Sequence, residues 1–195
     1  MKKLFLFAVA TLLAFGASAQ KNSRDIAKYG PGKMPFNERG EVVFSKVVSA
    51  DGKTKDQLYS TARLYIAELF NSAQDVLQLE DKEGGVLIAK GNNPCPEDPK
   101  CRVWYTLRIQ CRDGRYKVDI YQLSVRFEGN RTAPPSNHPA EELTDAESLK
   151  ADGSTKPYGK GFCRRSVIDI ATSLQRSIET GMARNAPASS EEENW

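Results

Sequence analysis

The chain has 195 residues, 27% of them charged and 39% hydrophobic, with a formal net charge of +3. That near-neutral balance leaves no electrostatic footprint for nucleic acid, and a chain of this size buries a core without needing a metal or cofactor. After residue 19 no apolar run approaches the roughly 20 residues of a membrane-spanning helix, so no span is expected in the mature chain.

Lys2 and Lys3 precede an apolar run from Leu4 to Phe15, and Ala17-Ser18-Ala19 follows. This is the pattern of a secretory signal peptide over residues 1–19, cleaved between Ala19 and Gln20. Removing 19 of 195 residues leaves 176, and losing two lysines takes the charge from +3 to +1. The expected location is the periplasm or the extracellular space. Residues 20–36 are polar and broken by Gly30-Pro31-Gly32 and Pro35, which reads as an N-terminal linker. Residues 37–183 read as one domain, and 184–195 as a polar disordered tail.

Glu41–Ser49 is β-branched and apolar, a first strand ended by Asp51-Gly52. A helix is predicted over Lys55–Phe70. Thr54 and Gln57 have capping-box spacing, and Leu58, Ala62, Tyr65, Ile66 and Leu69 recur on one face. Strands at Val76–Glu80 and Val86–Lys90 flank a turn with Gly84-Gly85. Arg102–Arg112 alternates, with Val103, Tyr105, Leu107, Ile109 and Cys111 on one side. Trp104, Thr106, Arg108 and Gln110 lie on the other. Asp113-Gly114 suits a two-residue type I′ turn into a long strand, Arg115–Phe127. Its apolar parity changes near Tyr121 and Gln122, which predicts a β-bulge.

Residues 128–160 form a long polar insert, in which Ala140–Lys150 could be a short helix. A second main helix is predicted over Phe162–Met182, with Cys163, Val167, Ala171, Leu174 and Ile178 facing inward. The order β-α-β-β-β-β-α predicts an α+β fold: a mostly antiparallel sheet with two helices packed on one face. The other face of such a sheet can be solvated, and Trp104, Arg108 and Lys117 are the candidate ligand or partner residues there.

In an exported chain, the four cysteines read as two disulfides. The favoured pairing is Cys95–Cys101, closing the loop CPEDPKC, with Cys111–Cys163 tying a strand to the last helix. Chain-entropy arithmetic gives about 2.4 kcal/mol for the small loop and about 4 kcal/mol for the large one. The alternative is that Cys111 and Cys163 are buried free thiols.

No catalytic constellation emerges. His138 is the single histidine and lies in the insert, where it reads as a solvated loop residue. Cys95-x5-Cys101 with one histidine is a poor zinc pattern. Glu80, Asp81 and Glu83 read as ordinary turn charges rather than a calcium loop. Gly159-Lys160-Gly161 with Arg164 or Arg165 could cradle an anion, but it is not a Walker A loop. Asn130-Arg131-Thr132 is a glycosylation sequon that matters only in a eukaryote.

Four segments carry a resemblance: GEVVFSKVV (40–48), GKTKDQLYSTARLYIAELF (52–70), EDKEGGVLIAKG (80–91) and CRDGRY (111–116). In order and spacing they resemble the bacterial family called domain of unknown function 4468, which has a fold like the TATA-box-binding protein. The resemblance covers about residues 37–127. It implies that fold and a secreted protein of Bacteroidetes, with no activity to carry over. The cysteine loop at 95–101 and the insert at 128–160 depart from the pattern. The expected function is a non-catalytic binding module for an unknown protein or small ligand of the cell envelope, with no cofactor and no nucleic acid. The alternative is an envelope hydrolase with a loop-assembled site.

Overall fold

The computed structural model describes residues 20, 22–70, 76–129 and 134–184. The signal peptide, the sequon and the tail from residue 185 lie outside the described residues. In chain order the elements are α1 (22–29), β1 (Phe44–Ser49), α2 (Lys55–Leu69), β2 (Leu77–Asp81), β3 (Val86–Cys95), β4 (Asp98–Arg112) and β5 (Arg115–Phe127). They continue with β6 (Ser136–Pro139), a 3-10 turn at Ala140–Glu142, α3 (Asp145–Ser148) and α4 (Lys160–Arg184).

The expected α+β architecture is present. The antiparallel sheet runs β1-β5-β4-β3-β2, and β6 adds to the same edge of β5 that β1 uses. α2 begins with the capping box read from the sequence: the Thr54 hydroxyl accepts from the Gln57 N–H, and the Gln57 side chain accepts from the Thr54 N–H. Leu58, Ala62, Tyr65 and Ile66 are buried on α2, and Cys163, Val167, Ala171, Leu174 and Ile178 on α4. They cover the inward residues of β4 and β5, including Val103, Leu107, Ile109, Val118 and Ile120. Full burial of each large aliphatic side chain contributes about 1.5–3 kcal/mol, so this one face holds the fold. Among the described residues no helix is long and apolar enough to cross a membrane.

The β4–β5 hairpin takes its register from Asp113-Gly114, with Gly114 at φ 72°. The parity change inside β5 is a bulge. Trp104 pairs with Ser124 but Thr106 with Tyr121, and Gln122 takes φ 51°. One extra residue on β5 restores the inward direction of Leu123 and Val125.

Three expectations need correction. First, Cys111 and Cys163 are not bridged; both are buried free thiols. Phe162 at the start of α4 packs 5.9 Å from Phe127, which lies opposite Cys101. Cys111 is ten residues further along β4, about 34 Å at strand rise, whereas a bridge needs Cα atoms within about 7 Å. Burial pushes the Cys111 thiol up to about 12 and Cys163 up to about 11. Native protein should therefore resist iodoacetamide. Denatured, unreduced protein should take up two labels by mass spectrometry, and reduced protein four; labelling of all four without reduction would remove the clasp. That clasp, Cys95–Cys101, is present with Cα atoms 5.4 Å apart.

Second, the segment expected to be a linker is a docked helix. Residues 22–29 are helical, and the Asp25 carboxylate accepts from the Thr155 N–H and hydroxyl at 2.6 and 2.9 Å. Tyr29 donates to Asp169 at 2.9 Å, and Lys28 pairs with the same carboxylate. Third, the insert is built rather than loose. His138 lies on β6, half-buried, edge-on to Phe127 at 5.8 Å, and is not a solvated loop residue. The helix expected over Ala140–Lys150 is broken at Leu143 into a 3-10 turn and α3. The Leu143 carbonyl faces Arg164 there, and the Leu143 side chain is fully buried.

Candidate functional site

The bulge at Gln122 sets up the site. Below it β5 pairs with β1, from Arg115 to Ile120; above it β5 pairs with β6, from Ser124 to Phe127. Two partners cannot occupy one edge without a gap, and residues 35–43 cross that gap as a strap. Phe36 bridges Val42, and the Asn37 side-chain oxygen accepts the N–H groups of Arg39 and Glu41 at 2.9 Å each. Gly40 has φ 76°, which closes this turn. Val42 is fully buried, and its N–H donates to Glu141 at 3.1 Å, pinning strap to insert.

A half-open cleft of about 860 Å³ lies between the strap and the outer face of the sheet. The strap supplies Phe36, Arg39 and Glu41; the sheet supplies Ser45, Arg108, Lys117, Asp119 and Tyr121. At its floor Asp119 is 1% exposed, an ionised group nearly out of water. It is satisfied from three sides. Arg108 donates twice, at 2.6 and 3.0 Å, Ser45 once at 2.6 Å, and Lys117 stands 3.1 Å away. Burial opposes ionisation, but these three donors outweigh it and hold the carboxyl below its ordinary range. Asp119 is therefore a carboxylate at neutral pH and a poor general acid. Arg108 also lies 5.9 Å from the centre of the Tyr121 ring, leaving a guanidinium plane and an aromatic plane side by side in the cleft.

Arg108 and Lys117, read from the sequence as a partner face, are brought together here. Trp104 shares the outer face but not the cleft. It is 37% exposed, with Arg126 stacked on its ring at 4.5 Å. The anion cradle considered at Gly159-Lys160-Gly161 does not form. All five donors of Arg164 go to the protein itself, and Arg165 is forked on Glu97 at 2.9 and 3.0 Å. Lys160 pairs with Glu147 at 3.1 Å. Glu97 lies in the Cys95–Cys101 loop, so the clasp docks that loop on α4.

Sequence reading missed Asp119 and the strap. Asp119 could have been found: a two-residue turn that sets Arg112 opposite Arg115 also sets Arg108 opposite Asp119. Phe36, Arg39 and Glu41 carry no such signal, because they meet the sheet only through tertiary packing.

Residues 44–126 match the family described as Domain of unknown function (DUF4468) with TBP-like fold. No curated protein matches the chain. Among solved structures, a DUF4468 family protein from Bacteroides ovatus is similar at a TM-score of 0.66 and 20% identity, over 86% of this chain and 98% of that one. A TBP-like protein from Parabacteroides distasonis is similar at a TM-score of 0.61 and 12% identity, over 77% of this chain and 97% of that one. The matched residues contain the cleft floor; the strap and Glu141 of the 3-10 turn, which wall it, lie outside them.

Proposed function

We propose, from the premise that this chain carries a DUF4468 domain with TBP-like fold, that it is a periplasmic or secreted binding module without chemistry of its own. It takes a protein or small ligand of the cell envelope into the cleft beneath the strap. The observation that carries this reading is the closed ion cluster at the cleft floor. Asp119 is ionised and spent on Arg108, Lys117 and Ser45, so the cleft offers fixed charge and aromatic surface rather than a proton to transfer. The leader pattern and the Cys95–Cys101 clasp support export to an oxidising space.

The test is affinity capture from native envelope extract with wild-type protein and with Arg39→Ala and Tyr121→Ala. Both side chains line the cleft and neither is fully buried, so the fold should survive, as a thermal melt will verify. A partner or ligand held by wild type and lost by both variants is the expected result. An identical set retained by all three proteins would overturn the reading.

A further inference from the structure

The near-neutral net charge conceals a one-sided distribution. In an antiparallel sheet, residues directly opposite share a face, and so do residues two apart on one strand. By that register the outer face carries Arg102, Arg108 and Arg112 from β4, Arg115, Lys117 and Arg126 from β5, and Lys90 from β3. Between the Arg102–Arg126 and Arg112–Arg115 pairs, Asp119 is the one carboxylate that β4 and β5 place on this face, and it is buried beneath Arg108 and Lys117; Asp98 shares the parity but lies beyond Arg102 at the start of β4. Moreover, arginines stand directly opposite each other twice, Arg102 with Arg126 and Arg112 with Arg115. Like charges in that position destabilise a sheet; Asn92 accepts from Arg102, and Asn137 and the Trp104 ring hold Arg126, which offsets part of the repulsion in that pair and leaves it in full at Arg112–Arg115. An anion seated between each pair would turn repulsion into attraction.

The spacing identifies the anion's form. The two arginine pairs lie ten residues apart on β4, about 34 Å, and successive rows on the face are about 6.8 Å apart. Lys117, Arg108 and Lys90 fill intermediate rows. An extended polypeptide repeats its same-side side chains at that same interval of about 6.8 Å, so a carboxylate at every second residue meets successive rows. Five of the seven cations named are arginine, whose planar fork matches a carboxylate bidentately.

We infer that the outer face of the sheet docks an extended acidic polypeptide segment of a partner protein, laid along β4 and β5 from the Arg112–Arg115 pair to the Arg102–Arg126 pair. This rests on the binding-module reading and gives its partner a chemistry. Trp104 lies on the path under Arg126, so its fluorescence reports occupancy. In a Trp195→Phe background it is the single tryptophan, since the chain has two.

The probe is a twelve-residue peptide alternating Glu and Thr, about 40 Å long when extended. The expected result is saturable binding at low salt that is abolished near 1 M salt, where the screening length is about 3 Å. Arg112→Gln with Arg115→Gln should weaken it about tenfold, whereas Arg176→Gln with Arg184→Gln, an equal charge change on α4, should leave it within about twofold. Equal loss in both double variants, or no binding at low salt, overturns the inference. So does tighter binding of dextran sulfate or oligothymidylate, which would assign the face to a polysaccharide or a nucleic acid. If the peptide fails while the envelope partner is still lost in the cleft variants, the acidic segment is wrong and the binding module stands. If the envelope partner is also indifferent to the cleft, both fall.

Discussion

Arg164→Ala is expected to lower the unfolding free energy by about 3–5 kcal/mol, the range for removing one partner from a buried ionic cluster. Arg164 is fully buried in the first turns of α4. Its guanidinium has five N–H donors, and all are used. Nε reaches the Tyr29 carbonyl at 2.7 Å; one terminal nitrogen reaches the Leu143 carbonyl at 3.0 Å and the Ser148 hydroxyl at 3.2 Å. The other reaches the Gly30 carbonyl at 2.7 Å and Asp145 at 2.8 Å. Burial pulls this guanidinium below its ordinary pKa and Asp145 pulls it back, so it stays charged at any ordinary pH.

Deletion does more than remove one charge. The Tyr29 carbonyl loses its donor, and the Gly30 and Leu143 carbonyls keep only contacts of 3.3 Å, from Lys33 and Ser148. Leaving such buried groups short of partners costs about 1–3 kcal/mol each. Arg164→Lys should recover little, because an ammonium has three donors on a single point and cannot span α3, the 3-10 turn and the N-terminal arm formed by α1 and Gly30. Urea titration measures the loss. Hydrogen exchange should show faster amides in residues 22–30 and 143–156, ahead of β4 and β5. A loss under about 1 kcal/mol, or uniform exchange, would mean that this knot does not hold the arm to the body.

Gly161→Ala should cost about 1–3 kcal/mol, against the usual sign for a helical position. Exchanging glycine for alanine inside a helix ordinarily stabilises by about 1 kcal/mol. Here an added Cβ would lie 2.0 Å from the Lys156 carbonyl oxygen and 2.6 Å from its nitrogen. Neither atom can step aside cheaply. The Lys156 N–H donates to the Ser148 carbonyl at 2.9 Å, and the Lys156 carbonyl accepts from Arg165 at 3.0 Å. The insert backbone would have to lift from α4 and take those bonds with it. A thermal melt decides the sign; a raised midpoint would show that the insert yields freely at this contact.

Both effects fall where the sequence read least well. Residues 20–36 and 128–160 look like a linker and a loop because they are polar and rich in proline and glycine. Their order comes from single contacts with distant parts of the chain, such as Arg164 to Tyr29 across 135 residues and Thr155 to Asp25 across 130. An arginine on a helix gives no sequence sign of whether its fork faces water or five internal acceptors. The cysteines make the same point from the other side. The even count and the export pattern suggested two bridges, yet only Cys95 and Cys101, close in sequence at the β3–β4 turn, end close in space.

What the sequence determined by itself was local or periodic. The capping box at Thr54, the inward stripes of α2 and α4, the Asp113-Gly114 register and the bulge near Gln122 each follow from residues within a few positions of one another, or from one turn and the strands it joins. Tertiary structure alone decided the cleft, the arm and the two free thiols. Those depend on which distant surfaces meet once the helices cover the sheet, and neither helical periodicity nor strand alternation encodes that.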